Sequence, residues 1–238
     1  MWDAEKPAIG KITLGLTPGT LALKTIDFVY TRLPAWRNHT VRPVVQSEDR
    51  LNLQLCKFLE IQARNDFPMV SFQREEYQSG QARIDISASP TETVIIEATP
   101  YRTYTIYEPI VVFEGKRLPA PSRDREKEYV TGGIKHKSGG IQRFKLGLHG
   151  AAHDIAAMIG YIQERSSREW YEEINKWIVE LSGSTIADVC VWDKSEVLEK
   201  LEEDSLMGIA NCQSSHNRTG SAKSNKILLR HLWIKMYM

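Results

Sequence analysis

The sequence predicts an α/β fold of the α+β kind, a mixed β-sheet flanked by helices, and three observations predict it. A helix-periodic segment at 47–64 is followed by short β-prone runs between 69 and 114, and then by further helix-periodic segments. The run Ile110-Val111-Val112-Phe113 is apolar on both faces, as a central strand covered on both sides has to be. A last apolar run, Ile227 to Met236, reads as a strand that closes the sheet. Helices and strands in this order pack as layers around one sheet.

The first 45 residues read as an N-terminal β extension. Lys11 to Leu16 and Leu21 to Leu33 are β-prone, with Pro18-Gly19 as a turn and Pro34 and Pro43 as breaks. The main domain then covers 46–238. Ser47 is placed to cap a helix to Arg64, with Glu48 and Asp49 in the first turn, where the helix dipole favours acids. Leu51, Leu55, Phe58 and Leu59 form its apolar stripe, and Glu48 projects from the same face. Met69–Arg74, Arg83–Ala88, Thr93–Ala98, Tyr101–Tyr107 and Ile110–Glu114 follow as strands. Leu118 to Gly140 holds two prolines and four glycines and reads as a long loop with one helical turn near 125–130. Gly150–Gln163, apolar nearly all round, reads as a buried helix in which Gly160 allows close approach to the sheet. Arg168–Leu181 is an amphipathic helix carrying Trp170 and Trp177. Ser195–Leu206 reads as an acidic helix and Gln213–Asn225 as a polar loop.

Hydrophobic residues make up 42% and charged residues 26%, the balance of a globular chain. No apolar run approaches the roughly 18 residues of a membrane span and the N-terminus lacks a secretory apolar stretch, so a cytoplasmic protein is expected. Cys56, Cys190 and Cys212 form no Cys-x-x-Cys pair, which argues against a disulfide framework or structural zinc. The net charge of +1 hides an asymmetry. Residues 114–145 carry nine Lys/Arg against four Asp/Glu, and 164–204 carry five against twelve, so a basic surface able to meet a phosphate backbone is expected beside an acidic one.

The chemistry centres on Asp85, Glu114 and Lys116. Glu114 and Lys116 point the same way from a strand. Two carboxylates can hold a hard divalent cation, and a lysine beside them can orient a water or stabilise developing charge. No Gly-rich phosphate loop, Ser/His/Asp pattern or kinase-type motif competes with this set. Glu97-Ala98-Thr99 is a rival for the second acid, with Thr99 in place of the lysine.

With Asp85 followed by Glu114-Gly115-Lys116, the sequence resembles the PD-(D/E)XK, or restriction-endonuclease-like, nuclease superfamily over about residues 47–165. Ile84 stands where that family often has proline. The resemblance implies a restriction-endonuclease-like core and a Mg2+ (or Mn2+) site of Glu48, Asp85 and Glu114, with Glu60 the weaker candidate for the helix acid. It implies a catalytic set of Asp85, Glu114 and Lys116, and an endonuclease acting on DNA or RNA. The stretches 113–119, 125–130, 139–145 and 158–163 also look like those of bacterial nucleases linked to anti-phage defence. Lys135, Gln142, Arg143, Lys145 and His149 are expected to contact nucleic acid, and Gln163 to support the site. His149 and His153, four apart, could share a helix face as metal ligands, but lack the intervening Glu of a His-Glu-x-x-His motif. A homo-oligomer or a protein partner is expected. The alternative is a non-catalytic subunit with a degraded nuclease fold, which binds nucleic acid or a partner.

Overall fold

The computed structural model describes residues 20–77, 83–98, 101–134, 136–183, 188–220 and 222–237. Two helices come first, α1 (Thr20–Arg37) and α2 (Glu48–Asp66), then strands β1 (Val70–Tyr77), β2 (Arg83–Pro90), β3 (Val94–Ala98), β4 (Tyr101–Thr105) and β5 (Val111–Leu118). A 3-10 helix (Arg123–Tyr129) leads to the short helix α3 (Gly140–Lys145), to β6 (Ile155–Ile162) and to α4 (Ser167–Gly183). A second 3-10 turn (Lys194–Glu196) precedes β7 (Glu199–Asp204), β8 (Ile209–Asn217) and β9 (Lys226–Lys235).

Seven strands form one mixed sheet in the order β1-β2-β5-β6-β9-β8-β7, and β3 and β4 form a separate two-stranded sheet. The β5–β6 and β6–β9 pairs are parallel and the other pairs of the large sheet antiparallel. This is the expected mixed sheet flanked by helices. Helices α1 and α2 cover one face, where Leu33, Trp36, Leu55 and Leu59 pack against Ile86, Phe113, Ile159 and Leu232. The 3-10 helix, α3 and α4 cover the other, where Tyr129, Phe144, Trp170 and Trp177 pack against Val112, Met158 and Trp233. Among the described residues no helix is long and apolar enough to cross a membrane.

Four expectations are corrected. Leu21–Leu33 is not part of a β extension but lies in α1: the buried residues Ala22, Ile26, Val29, Leu33 and Trp36 of that helix recur at the helical period, which outweighs the β-prone Thr25-Ile26 and Phe28-Val29-Tyr30-Thr31. Lys11–Leu16 lies outside the described residues. The expected helix at Gly150–Gln163 is the strand β6. Flanked by parallel strands and covered on both faces, it is apolar all round, a pattern that a buried helix shares. Gly160 does allow a close approach, but between strands: a Cβ there would sit 2.3 Å from Trp233 Cδ1. The acidic stretch 195–206 is a 3-10 turn and the edge strand β7, where exposed charges protect an open edge. Finally, Gln213–Asn217 belongs to β8, which turns Ser214 and His216 inward.

Candidate active site

Strands β2 and β5 pair only over Ile86–Ala88 and Val111–Phe113, then part. Two amides of β5 beyond the fork are taken by carboxylates. Gly115 N–H donates to Asp85 Oδ2 at 2.8 Å, and Arg117 N–H donates to Glu48 Oε2 at 3.2 Å. Asp85 thus completes from its own strand the bonding that the ladder abandons, while Glu48 reaches in from the first turn of α2. Each backbone donor is satisfied and each acid is fixed in place.

Lys116 lies between the two glutamates, with Nζ 2.8 Å from Glu48 Oε1 and 3.1 Å from Glu114 Oε1. Arg143, from α3, places Nη1 2.8 Å from the same Glu114 oxygen. His149 Nδ1 stands 3.0 Å from Glu114 Oε2, though the ring is not aligned for a proper hydrogen bond. Glu114 is fully buried and Lys116 only 4% exposed. Burial of such charges is tolerable only because they meet their opposites.

The protonation behaviour follows from this crowding. Burial would raise the Glu114 carboxyl, but Lys116, His149 and Arg143 pull it well below the usual range. Burial would strip the proton from Lys116, but Glu114, Glu48 and Asp85 hold it in place. Asp85 goes the other way. Burial and the adjacent Glu114 charge push its carboxyl well above the ordinary value, and Lys116 and the Gly115 amide offset this only in part. Asp85 is therefore the carboxylate of the cluster whose ionised form the surroundings disfavour.

Glu48, Asp85 and Glu114 are carboxylates, the donor type that hard divalent cations take. Among the described residues no three His, Cys, Asp or Glu side chains form a ready-made metal cage, and Lys116 bridges Glu48 and Glu114 instead. The rival Glu97 is on β3, in the separate two-stranded sheet. Glu60 is bound to Arg64 and to the Phe72 amide.

The middle residue of the Glu-Gly-Lys triplet is dictated by packing. A Cβ on Gly115 would lie 2.0 Å from Asn52 Oδ1, which accepts a 2.7 Å hydrogen bond from Tyr161. Gly115→Ala must displace this buried amide. The expected cost is about 1–3 kcal/mol, the usual penalty for overpacking, read from the urea midpoint. A loss under about 0.5 kcal/mol would mean that α2 does not press on the strand here.

The expected nucleic-acid contacts need correction. Lys135 lies outside the described residues. Gln142 is fully buried: its amide donates to Asp188, Thr131 and the Gly133 carbonyl and accepts from Gly132 and Gly139. Lys145 is 2% exposed and its ammonium meets both oxygens of Glu196 at 2.6 Å. His149 is buried against Glu114, and residues 149–153 form no helix to align it with His153. Only Arg143 keeps appreciable exposure. Gln142, Arg143 and Lys145 lie on α3, a six-residue helix that buries polar side chains.

Gln163 sits at the end of β6. It accepts from Arg117 Nε at 2.9 Å and donates to the Gln46 carbonyl at 2.9 Å, tying the start of α2 to the end of β5. A cavity of about 880 Å3 runs along the first 3-10 helix, lined by Arg123, Arg125, Lys127, Thr131 and His136 among others. Arg125 borders it and is within electrostatic reach of Glu48. No protein-family model matches the chain, and no match was found among curated proteins or solved structures.

Proposed function

We propose that the chain is a metal-dependent endonuclease with a restriction-endonuclease-like core, acting on DNA in restriction or anti-phage defence. The observation that carries this reading is the meeting of Glu48, Asp85, Glu114 and Lys116 where β2 leaves β5. Acids from two strands and a helix surround one lysine, and their charges do not balance.

Held by Asp85, Glu114 and Glu48, a Mg2+ or Mn2+ ion would polarise the scissile phosphate and acidify a water. Lys116, kept protonated by its acidic neighbours, is fit to stabilise the negative charge that develops on the phosphoryl oxygens. Arg143 is partly open to solvent and can share its guanidinium between Glu114 and a phosphate oxygen. Gly115 and Arg117 keep both acids on the same edge of β5 through their amides. The test is plasmid nicking in Mg2+ by the purified chain. Cleavage by the wild type, lost in Asp85→Asn and Lys116→Ala, supports the reading; equal cleavage by both variants overturns it.

One observation favours a second reading, a non-catalytic binding subunit. Every oxygen of Glu114 already faces a cation or imidazole, and the buried Gln142 and Lys145 offer no surface to nucleic acid. Such a protein would shift the mobility of DNA without cutting it or binding Mn2+.

A further inference from the structure

We propose that Arg218, together with the Lys145–Glu196 pair, positions the candidate site by fixing the backbone of residues 140–153 so that Arg143 and His149 meet Glu114. The inference rests on reading Glu114 as a site residue.

Helix α3 is six residues long, too short to hold its shape alone. Arg143 and Lys145 are two positions apart and leave it in nearly opposite directions. While Arg143 reaches Glu114, Lys145 is anchored on Glu196 and on the Asn217 carbonyl at 3.2 Å, with its ammonium over the Trp192 ring. Glu196 also accepts from the Asn217 amide at 2.8 Å, so the anchor is part of the end of β8.

Arg218, the next residue, is the second clamp. Its guanidinium is 7% exposed and donates to four carbonyls: Phe144 at 3.1 Å, His149 at 3.4 Å, Gly150 at 2.8 Å and His153 at 2.9 Å. These carbonyls converge because the chain turns sharply at Gly147 and Gly150, whose φ values are +66° and +58°. Only a guanidinium has enough donors in a rigid fork to serve such a cluster. The neighbouring backbone continues the grip, with Thr219 N–H on the Lys145 carbonyl and Lys223 N–H on the Ala151 carbonyl.

Behind Glu196 lies a buried polar chain whose proton positions follow from its ends. Trp233 can only donate, so the Tyr129 oxygen accepts from it at 2.9 Å and its hydroxyl donates to His231 Nδ1 at 2.8 Å. His231 Nε2 then donates to Ser214 at 2.8 Å, and Ser214 donates to His216 Nε2 at 2.7 Å. His216 Nδ1 faces Glu196 at 3.7 Å, beyond hydrogen-bond length. Ser214, His216 and Glu196 follow one another as nucleophile, base and acid do in a hydrolase, but none is more than 1% exposed and no substrate can reach them. Their place in the fold is behind Lys145, as its support.

The test uses the full chain with Arg218→Lys, Arg218→Gln and Glu196→Gln, read by nitrogen-edited NMR of the His149 ring and the Arg143 guanidinium. Arg218→Lys keeps the charge and the stem but lacks the fork. Both signals are expected to move toward those of free side chains in every folded variant. Under the nuclease reading kcat falls about tenfold to a hundredfold, while KM for DNA changes by no more than about twofold. Unchanged His149 and Arg143 signals in folded Arg218→Lys overturn the proposal. Moved signals in a chain whose wild type does not cleave DNA uphold the positioning role and remove the nuclease.

Discussion

Under the proposed nuclease reading, Lys116→Ala is expected to lower Mg2+-dependent DNA cleavage by about 100- to 1,000-fold, the loss of about 3–4 kcal/mol that follows removal of one preorganised donor from a site of developing charge. The expectation is this large because the ammonium is buried, stays charged, and sits between two of the three acids. Asp85→Asn is expected to lower cleavage at least as far. The two variants differ in stability, which makes the pair informative. The folded-state pKa of Asp85 is raised above the unfolded value, so its ionised carboxylate weakens the fold once the pH exceeds the unfolded pKa of about 4. Asp85→Asn is therefore expected to melt at or above the wild-type temperature at neutral pH while, under the nuclease reading, losing cleavage. A variant that loses cleavage only because it unfolds would contradict this assignment.

Glu114→Ala has the largest expected effect on stability. It removes one of the two carboxylates in contact with the buried Lys116 and deprives Arg143 and His149 of their shared partner. Removing one partner from a buried ion pair typically costs about 3–5 kcal/mol, because the remaining charge is stranded in a poor solvent. For a chain of this size that lowers the melting temperature by roughly 10 °C. The sign of the pH effect agrees. Glu114 has a depressed carboxyl, so its contribution is present above its unfolded pKa and is lost only in strong acid. Thermal or urea unfolding at neutral pH checks the magnitude. A change below about 1 kcal/mol would mean that the cluster is as weakly coupled as a surface salt bridge.

How far the site could be read from the sequence depended on the element. Parity along one strand placed Glu114 beside Lys116, and the Leu51/Leu55/Leu59 stripe aimed Glu48 at the same region; both arguments concern regular elements and the geometry agrees with them. What closes around Glu114 was harder to read. Arg143 and His149 lie on a six-residue helix and an irregular turn, whose shape depends on Arg218, about seventy residues further along the chain. No local pattern carries that information. Gln142 and Lys145 were misplaced for the same reason. A polar residue in a glycine-flanked segment reads as exposed until its buried partners, Asp188 and Glu196, are known.

The errors in the fold have a related cause. β6 is covered on both faces, so its composition does not alternate, and eight apolar residues fit a buried helix as well as a strand. In β8 the inward residues Cys212, Ser214 and His216 are mostly polar, because a hydrogen-bonded chain satisfies them, and the alternation that marks a strand in a hydropathy pattern is lost. α1 mixes strand-favouring Thr, Ile, Phe, Val and Tyr with helix formers, and the spacing of Ala22, Ile26, Val29, Leu33 and Trp36 discloses the helix.

The most direct measurement is calorimetric titration of Mn2+ into the wild-type chain and into Asp85→Asn, without nucleic acid. If the acids at the fork between β2 and β5 are a cation site, the wild type gives a saturable heat and Asp85→Asn gives none. The account is contradicted if the wild type takes up no Mn2+, or if the asparagine variant binds it with undiminished heat.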